Sequence, residues 1–334
     1  MDSQTLPNYL AFIFEAIKIT LFCLIITSIF AVMGIDQNSL LIMFNIAVMS
    51  CAATFSPQIK HPAFLLLSSI IVILSIICGG LVGYYLPTYS QPLIIIYAIL
   101  AFLLPQTKEN TAVLVTGALM FLIFNALAFN LNSALHYSLY SLIFLPLFIA
   151  FYWLFDQRII NQSYQNYKSE VLNFQTKLLS AAIAGIALVM GWMMMLLLKY
   201  HTNIEHLYWI GLTILVVIQG SKSKTIQTSL IRIGVNAFGA LAIVIIMTYI
   251  MPSNFWLNLA FLVVLLFLIF ALGFSYIART LCIELFVLSF THLLGQYHNT
   301  LALDRIILTL IGGLLVIIAT LISYYLQAFL KGFT

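Results

Sequence analysis

Long apolar runs alternate with short polar turns along the whole chain. Twelve such runs can be marked off, at 10–33, 39–55, 62–86, 91–105, 111–129, 137–155, 178–199, 207–220, 229–251, 255–273, 276–293 and 302–328. A helix needs ~20 apolar residues to cross a bilayer, and most of the runs approach that length. The pattern therefore predicts an all-α, polytopic transmembrane helical bundle of ten to twelve helices. The runs at 39–55, 91–105 and 207–220 are shorter. Helices that reach only part way are tolerated where neighbouring helices shelter their ends.

The runs repeat. Lys18 opens a stretch in the first run much as Lys177 opens the seventh. Lys60 and His61 follow the second as Lys222 and Lys224 follow the eighth, and Pro87 closes the third as Pro252 closes the ninth. Asn130 stands six residues before His136, as Asn299 stands six before Arg305. This divides the chain into a first transmembrane repeat at 1–155, a cytoplasmic linker helix at 156–177 and a second repeat at 178–334. An even number of helices per half makes the repeats parallel. In the linker, Ile160, Tyr164, Tyr167, Val171 and Phe174 fall at helical spacing. They read either as a solvated linker helix or as a contact between copies in a homo-oligomer.

Composition agrees. Hydrophobic residues make up 63% of the 334 and charged residues 7%, against about 25% charged in soluble domains. Such a chain has no material for a water-facing surface, so its net charge of +4 is not a nucleic-acid footprint. The cations sit in loops. Lys60, Lys108, Arg158, Lys168, Lys177, Lys222, Lys224, Arg279 and Lys331 share one side, which by the positive-inside rule is the cytoplasm, together with both termini. The first run carries Glu15 and Lys18 and lacks a basic leader, so it is expected to be a retained span rather than a signal peptide. Cys23, Cys51, Cys78 and Cys282 lie in apolar runs without paired or metal-ligand spacing and read as apolar fillers. Trp153, Tyr208, Trp209 and Trp256 fall near run ends, as an interfacial belt would.

Polar side chains inside apolar runs carry the functional expectation, because a charge in hydrocarbon is costly and has to face protein or water. Thr225, Thr228, Ser229, Arg232, Asn236 and Gly239 share one helical face. Arg232 either looks inward with that face or snorkels back to the headgroups. Arg305 begins a second polar face with Thr309, Gly312, Thr320 and Ser323; it is either an interfacial anchor beside Asp304 or part of a pathway. Glu284 lies deep in its run, with Thr280 and Thr291 near its face. A carboxylate there is a counter-ion or a proton carrier, and its depth matches that of Arg232, so the two are expected to pair. Glu15 and Lys18, three apart, can satisfy each other. His292 and His298 read as interfacial. The sequence contains no phosphate-binding loop, dinucleotide fingerprint, HExxH pair or nucleophile elbow. Neither an enzyme nor a bound cofactor or metal is expected.

Both halves, the second more clearly, resemble the fusaric-acid-resistance family of bacterial inner-membrane proteins, which includes aromatic-acid exporters. The features that carry the likeness are Tyr208-Trp209 before the short run, the basic loop Ser221–Lys224, and Arg232 with Gly239 seven residues on. The last run, Arg305 through Gly312-Gly313, is similar to the family's closing Arg–x6–Gly helix. Three features depart from the family. Val235-Asn236 replaces a frequent Gly-Thr pair, the first half lacks the arginine and has Ser68, Ser75, Gly79 and Gly83 at helical spacing instead, and the linker is too short for the cytosolic domain that many relatives carry. The resemblance implies efflux of small organic or aromatic anions, often with a periplasmic membrane-fusion adaptor as partner. Arg232, Asn236, Arg305 and Thr309 are then the candidate substrate-binding residues, and Glu284 the ion-coupling one. An anion channel and a non-transporting membrane scaffold are the alternatives.

Overall fold

The computed structural model describes residues 7–54, 62–127, 135, 139–140, 142–144, 146–147, 150–151, 171–202, 204, 206–250, 254–293 and 299–331. These are almost entirely helical: α1 (Pro7–Val32), α2 (Gln37–Thr54), α3 (Pro62–Tyr85), α4 (Ser90–Leu103), α5 (Lys108–Leu127), α6 (Phe174–His201), α7 (Trp209–Val217), α8 (Lys222–Ile245), α9 (Phe255–Ala271), α10 (Tyr276–Leu293) and α11 (Asn299–Lys331). Further helical residues, among them Tyr140, Phe144 and Phe151, lie between 135 and 151. The expected all-α bundle is observed, and the chain is a multi-pass membrane protein. Among the described residues, α1, α5, α6, α8, α10 and α11 are long and apolar enough to cross a bilayer. The end of α3 and α4 together could make one further span, bent by 120° at the break before Pro87. The bend follows from the sequence there: proline has no N–H to continue the helical ladder, and it forces the residue before it out of helical geometry, as Leu86 shows at φ −132°.

The helices form two compact units. The first comprises Met1–Ser69, Tyr140–Tyr167 and Val235–Leu303; the second comprises Ile70–Leu139, Lys168–Gly234 and Asp304–Thr334. These are not the two halves of the sequence, since each unit takes helices from both.

In the first unit α1 packs on α2 and α9, and α9 on α10. Aromatic contacts join them: Phe12 meets Phe274 edge-on, Phe44 of α2 lies against Phe286 of α10, and Phe22 and Phe30 reach Phe151 and Phe144. In the second unit α6 packs on α7 and α4, α4 on α5, and α5 on α7. Small residues allow these approaches. Gly185 of α6 faces Ile99, Gly191 faces Ile214 and Ile210, and Gly211 of α7 faces Leu122 and Leu188.

One short run behaves as its length demands. The nine residues of α7 extend about 13 Å, less than half of the hydrocarbon core. Nearly all of them are buried. Beyond α7 the chain turns through Gly220 at φ +68°, and Gln219 N–H, freed from the helix, donates to Thr225 Oγ1 at 3.1 Å. The expected linker seam is corrected where it can be followed. Val171 pairs with Thr107 in an isolated bridge, Leu172 N–H donates to Gln106 O at 2.8 Å, and α6 begins only at Phe174 under an Asn173 cap. The backbone around 171 therefore bonds to the 106–107 turn instead of to itself, and Val171 and Phe174 do not share a helix. Ile160, Tyr164 and Tyr167 lie outside the described residues.

Candidate functional site

The polar face expected on α8 exists and is buried. Thr225, Ser229, Arg232 and Asn236 are all enclosed, Arg232 at 3% exposure. The guanidinium thus looks into protein and does not snorkel to the headgroups. Helical periodicity predicts this burial, because residues at steps of three and four fall on one side of the helix.

Arg305 belongs to the second unit. It is 1% exposed, so it is not an interfacial anchor. Its guanidinium carbon lies 4.4 Å from the centroid of the Trp209 ring, within cation–π range. The same indole stacks on His206 at 4.9 Å, the two planes 17° apart. His206 takes φ +58°, uncommon for a residue with a side chain. Trp209 is 2% exposed, whereas Trp256 is 58% exposed. The interfacial-belt expectation therefore suits Trp256 and is wrong for Trp209. Helix ends look alike in sequence, and only packing distinguishes an end at the bilayer surface from the start of a sheltered half-helix.

Below Arg305 on α11, Thr309, Thr320 and Ser323 are buried as expected. Gly312 and Gly313 let this face close on its neighbours. A Cβ on Gly312 would stand 2.9 Å from both Ile210 O and Thr213 Cβ, and one on Gly313 would meet Ile233 at 2.7 Å. Hydroxyls line the α7 and α8 sides of this contact. Thr213 Oγ1 and Ser229 Oγ are buried with no hydrogen-bond partner, and sequence reasoning missed Thr213. Its signal was weak, one threonine in a short apolar run whose orientation only the fold defines.

In the first unit Glu284 is fully buried, at 0% exposure. It packs into a notch on α8, where a Cβ at Gly239 would stand 3.1 Å from Glu284 Cγ. Thr280, one turn earlier on α10, and Asn258 on α9 are also buried. Glu15 and Lys18 form the expected pair on α1, 3.7 Å apart and largely enclosed. Of the candidate residues, Arg232, Arg305 and Thr309 belong to the second unit, and Asn236 and Glu284 to the first. His298 lies outside the described residues. Among the described residues, no cluster of His, Cys, Asp and Glu could hold a metal.

No curated protein and no solved structure matches the chain. One family model does, and it covers α6 past Ala181 and most of α11, with every helix between them. Residues 182–319, which include the basic loop, the α8 polar face, Glu284 and the Arg305–Gly313 segment, match the fusaric acid resistance protein-like family, as the resemblance in the second half implied.

Proposed function

We propose that this protein is an efflux transporter of the bacterial inner membrane for small organic anions, aromatic carboxylates foremost, driven by a proton gradient and working with a periplasmic adaptor. The match to the fusaric acid resistance protein-like family supports transport as the general activity. One observation carries the finer reading: Arg305, buried at 1% exposure, lies over the Trp209 ring. A guanidinium held by an aromatic face keeps its in-plane N–H donors directed outward, where they suit a carboxylate. The contact also lowers the cost of holding the charge in an apolar interior, by about 2 kcal/mol when desolvated. The indole offers an aromatic anion a π surface beside the cation. Arg232 and Thr309, in the same unit, add a second charge and a hydroxyl. Glu284, fully buried on α10, is the residue we assign to ion coupling.

Reconstituted flux tests the reading. Proteoliposomes with an imposed pH gradient should accumulate a labelled aromatic carboxylate. Arg305→Gln should cut the rate about 10- to 100-fold, the range for losing one hydrogen bond to a charged group. Conductance that persists without a gradient would replace the transporter with a channel. No flux of any small anion would leave a scaffold.

A further inference from the structure

We propose that the Lys222 end of α8 and the adjoining length of α11 form a binding site for an anionic phospholipid. Two open grooves meet there, of about 780 and 690 Å³, and both use Lys222 and Tyr324 as wall. The larger follows α8 along Ile226 and Leu230, with the hydroxyls of Ser221 and Ser223 at its polar end. The smaller follows α11 along Leu321 and Ile322. Lys222 N–H donates to the Tyr324 hydroxyl at 2.9 Å, and its ammonium stands 5.8 Å from the Tyr324 ring centroid. The ridge between the grooves is therefore a fixed element rather than two loose side chains.

The occupant follows from position and charge. Both helices are long and apolar enough to span, so exposed Leu230, Leu321 and Ile322 meet acyl chains. At 33 residues, α11 is about 50 Å long against a hydrocarbon core of about 30 Å. Its last turns, with Tyr324 and Tyr325, thus fall at headgroup level, where tyrosine is favoured. Lys222 lies at this level with Lys224 two residues on, and among the described residues no acidic side chain lines either groove. A basic pocket between spanning helices favours a phosphate that carries no cation of its own. Phosphatidylglycerol and cardiolipin fit this description. Phosphatidylethanolamine brings an ammonium that would oppose Lys222.

The test is lipid competition on the full chain. Protein purified in mild detergent is offered equal amounts of phosphatidylglycerol and phosphatidylethanolamine, and the retained lipid is counted by native mass spectrometry. Wild type should prefer phosphatidylglycerol. Lys222→Gln should reduce that preference about fivefold, and Lys222→Arg should keep it. Leu230→Trp fills the larger groove while leaving the charge, and should lower retention of phosphatidylglycerol. Inorganic phosphate alone should not displace the lipid. Equal retention of the two lipids by wild type would overturn the proposal. So would wild-type retention in either Lys222→Gln or Leu230→Trp, or displacement by inorganic phosphate, which would point to a free-anion site.

Discussion

In the first unit α1 rests on α2 and α9, and α9 on α10; in the second, α6 rests on α7 and α4, and α4 on α5. Each unit thus combines the opening helices of one half of the sequence with later helices of the other. The buried charges differ. Glu15, Lys18 and Glu284 are enclosed in the first unit, Arg232 and Arg305 in the second. The partner helices differ too, for α2 has 18 residues and α7 only nine. Two similar frames can therefore hold different chemistry. One keeps buried glutamates beside a lysine; the other keeps two buried arginines. On the proposed function, anion attraction would fall to the second unit and proton response to the first.

The sharpest way to break this comparison is through the glycines that position the two kinds of charge. At Gly312 a new side chain meets the Ile210 carbonyl, which is backbone; at Gly239 it meets the Glu284 side chain and Leu281. Backbone cannot yield, so Gly312→Val should cost about 3 kcal/mol or more, the upper range for overpacking. It should strip the folded peak from fluorescence-detected size exclusion. Gly239→Ala should keep that peak and instead displace the carboxylate, moving the pH dependence of transport. Equal losses of folded protein would mean that the notch at Gly239 is as rigid as the helix crossing at Gly312.

Next in size are the charges themselves. Arg232→Gln should weaken anion binding about 10- to 100-fold, read as a rise in the concentration that half-saturates uptake. Glu284→Gln should leave exchange of labelled for unlabelled anion intact and abolish its response to a pH gradient. If Glu284→Gln also lost exchange, the units would not divide the work as described.

The smallest effect separates two tryptophans. Trp209→Leu removes the face beneath Arg305 and should lower stability by about 2 kcal/mol. Trp256→Leu, at an exposed position, should shift it by less than about 0.5 kcal/mol. Thermal unfolding in detergent measures both.

The parts of this arrangement that depend on local pattern were legible in the sequence. Run lengths anticipated the bundle and the shortness of α7, and helical period anticipated the enclosed face from Thr225 to Asn236. Spacing along α11 anticipated Thr309 and Gly312 as one face. Partners distant in sequence were not legible. Nothing in a single chain indicates that Trp209 lies beneath Arg305, 96 residues later, or that Glu284 fills a notch at Gly239. Nor does hydropathy reveal which helices share a unit, since every apolar run looks equally able to pack against every other. The 171–174 stretch shows the opposite failure, in which a helical period was real but the backbone found its hydrogen bonds in the 106–107 turn.

The interleaving of the units also sets a timetable for biogenesis. α1 packs on α9, whose first residue lies 248 positions after its own (255 minus 7). At ribosomal speeds of about 5–20 residues per second, α1 waits roughly ten to fifty seconds for that partner to be made. During the wait it holds Glu15 and Lys18 in the bilayer. The Glu15–Lys18 pair, one turn apart on the same helix, lets α1 neutralise itself without help from any later segment. This helix is thus provisioned to be inserted before α9 exists.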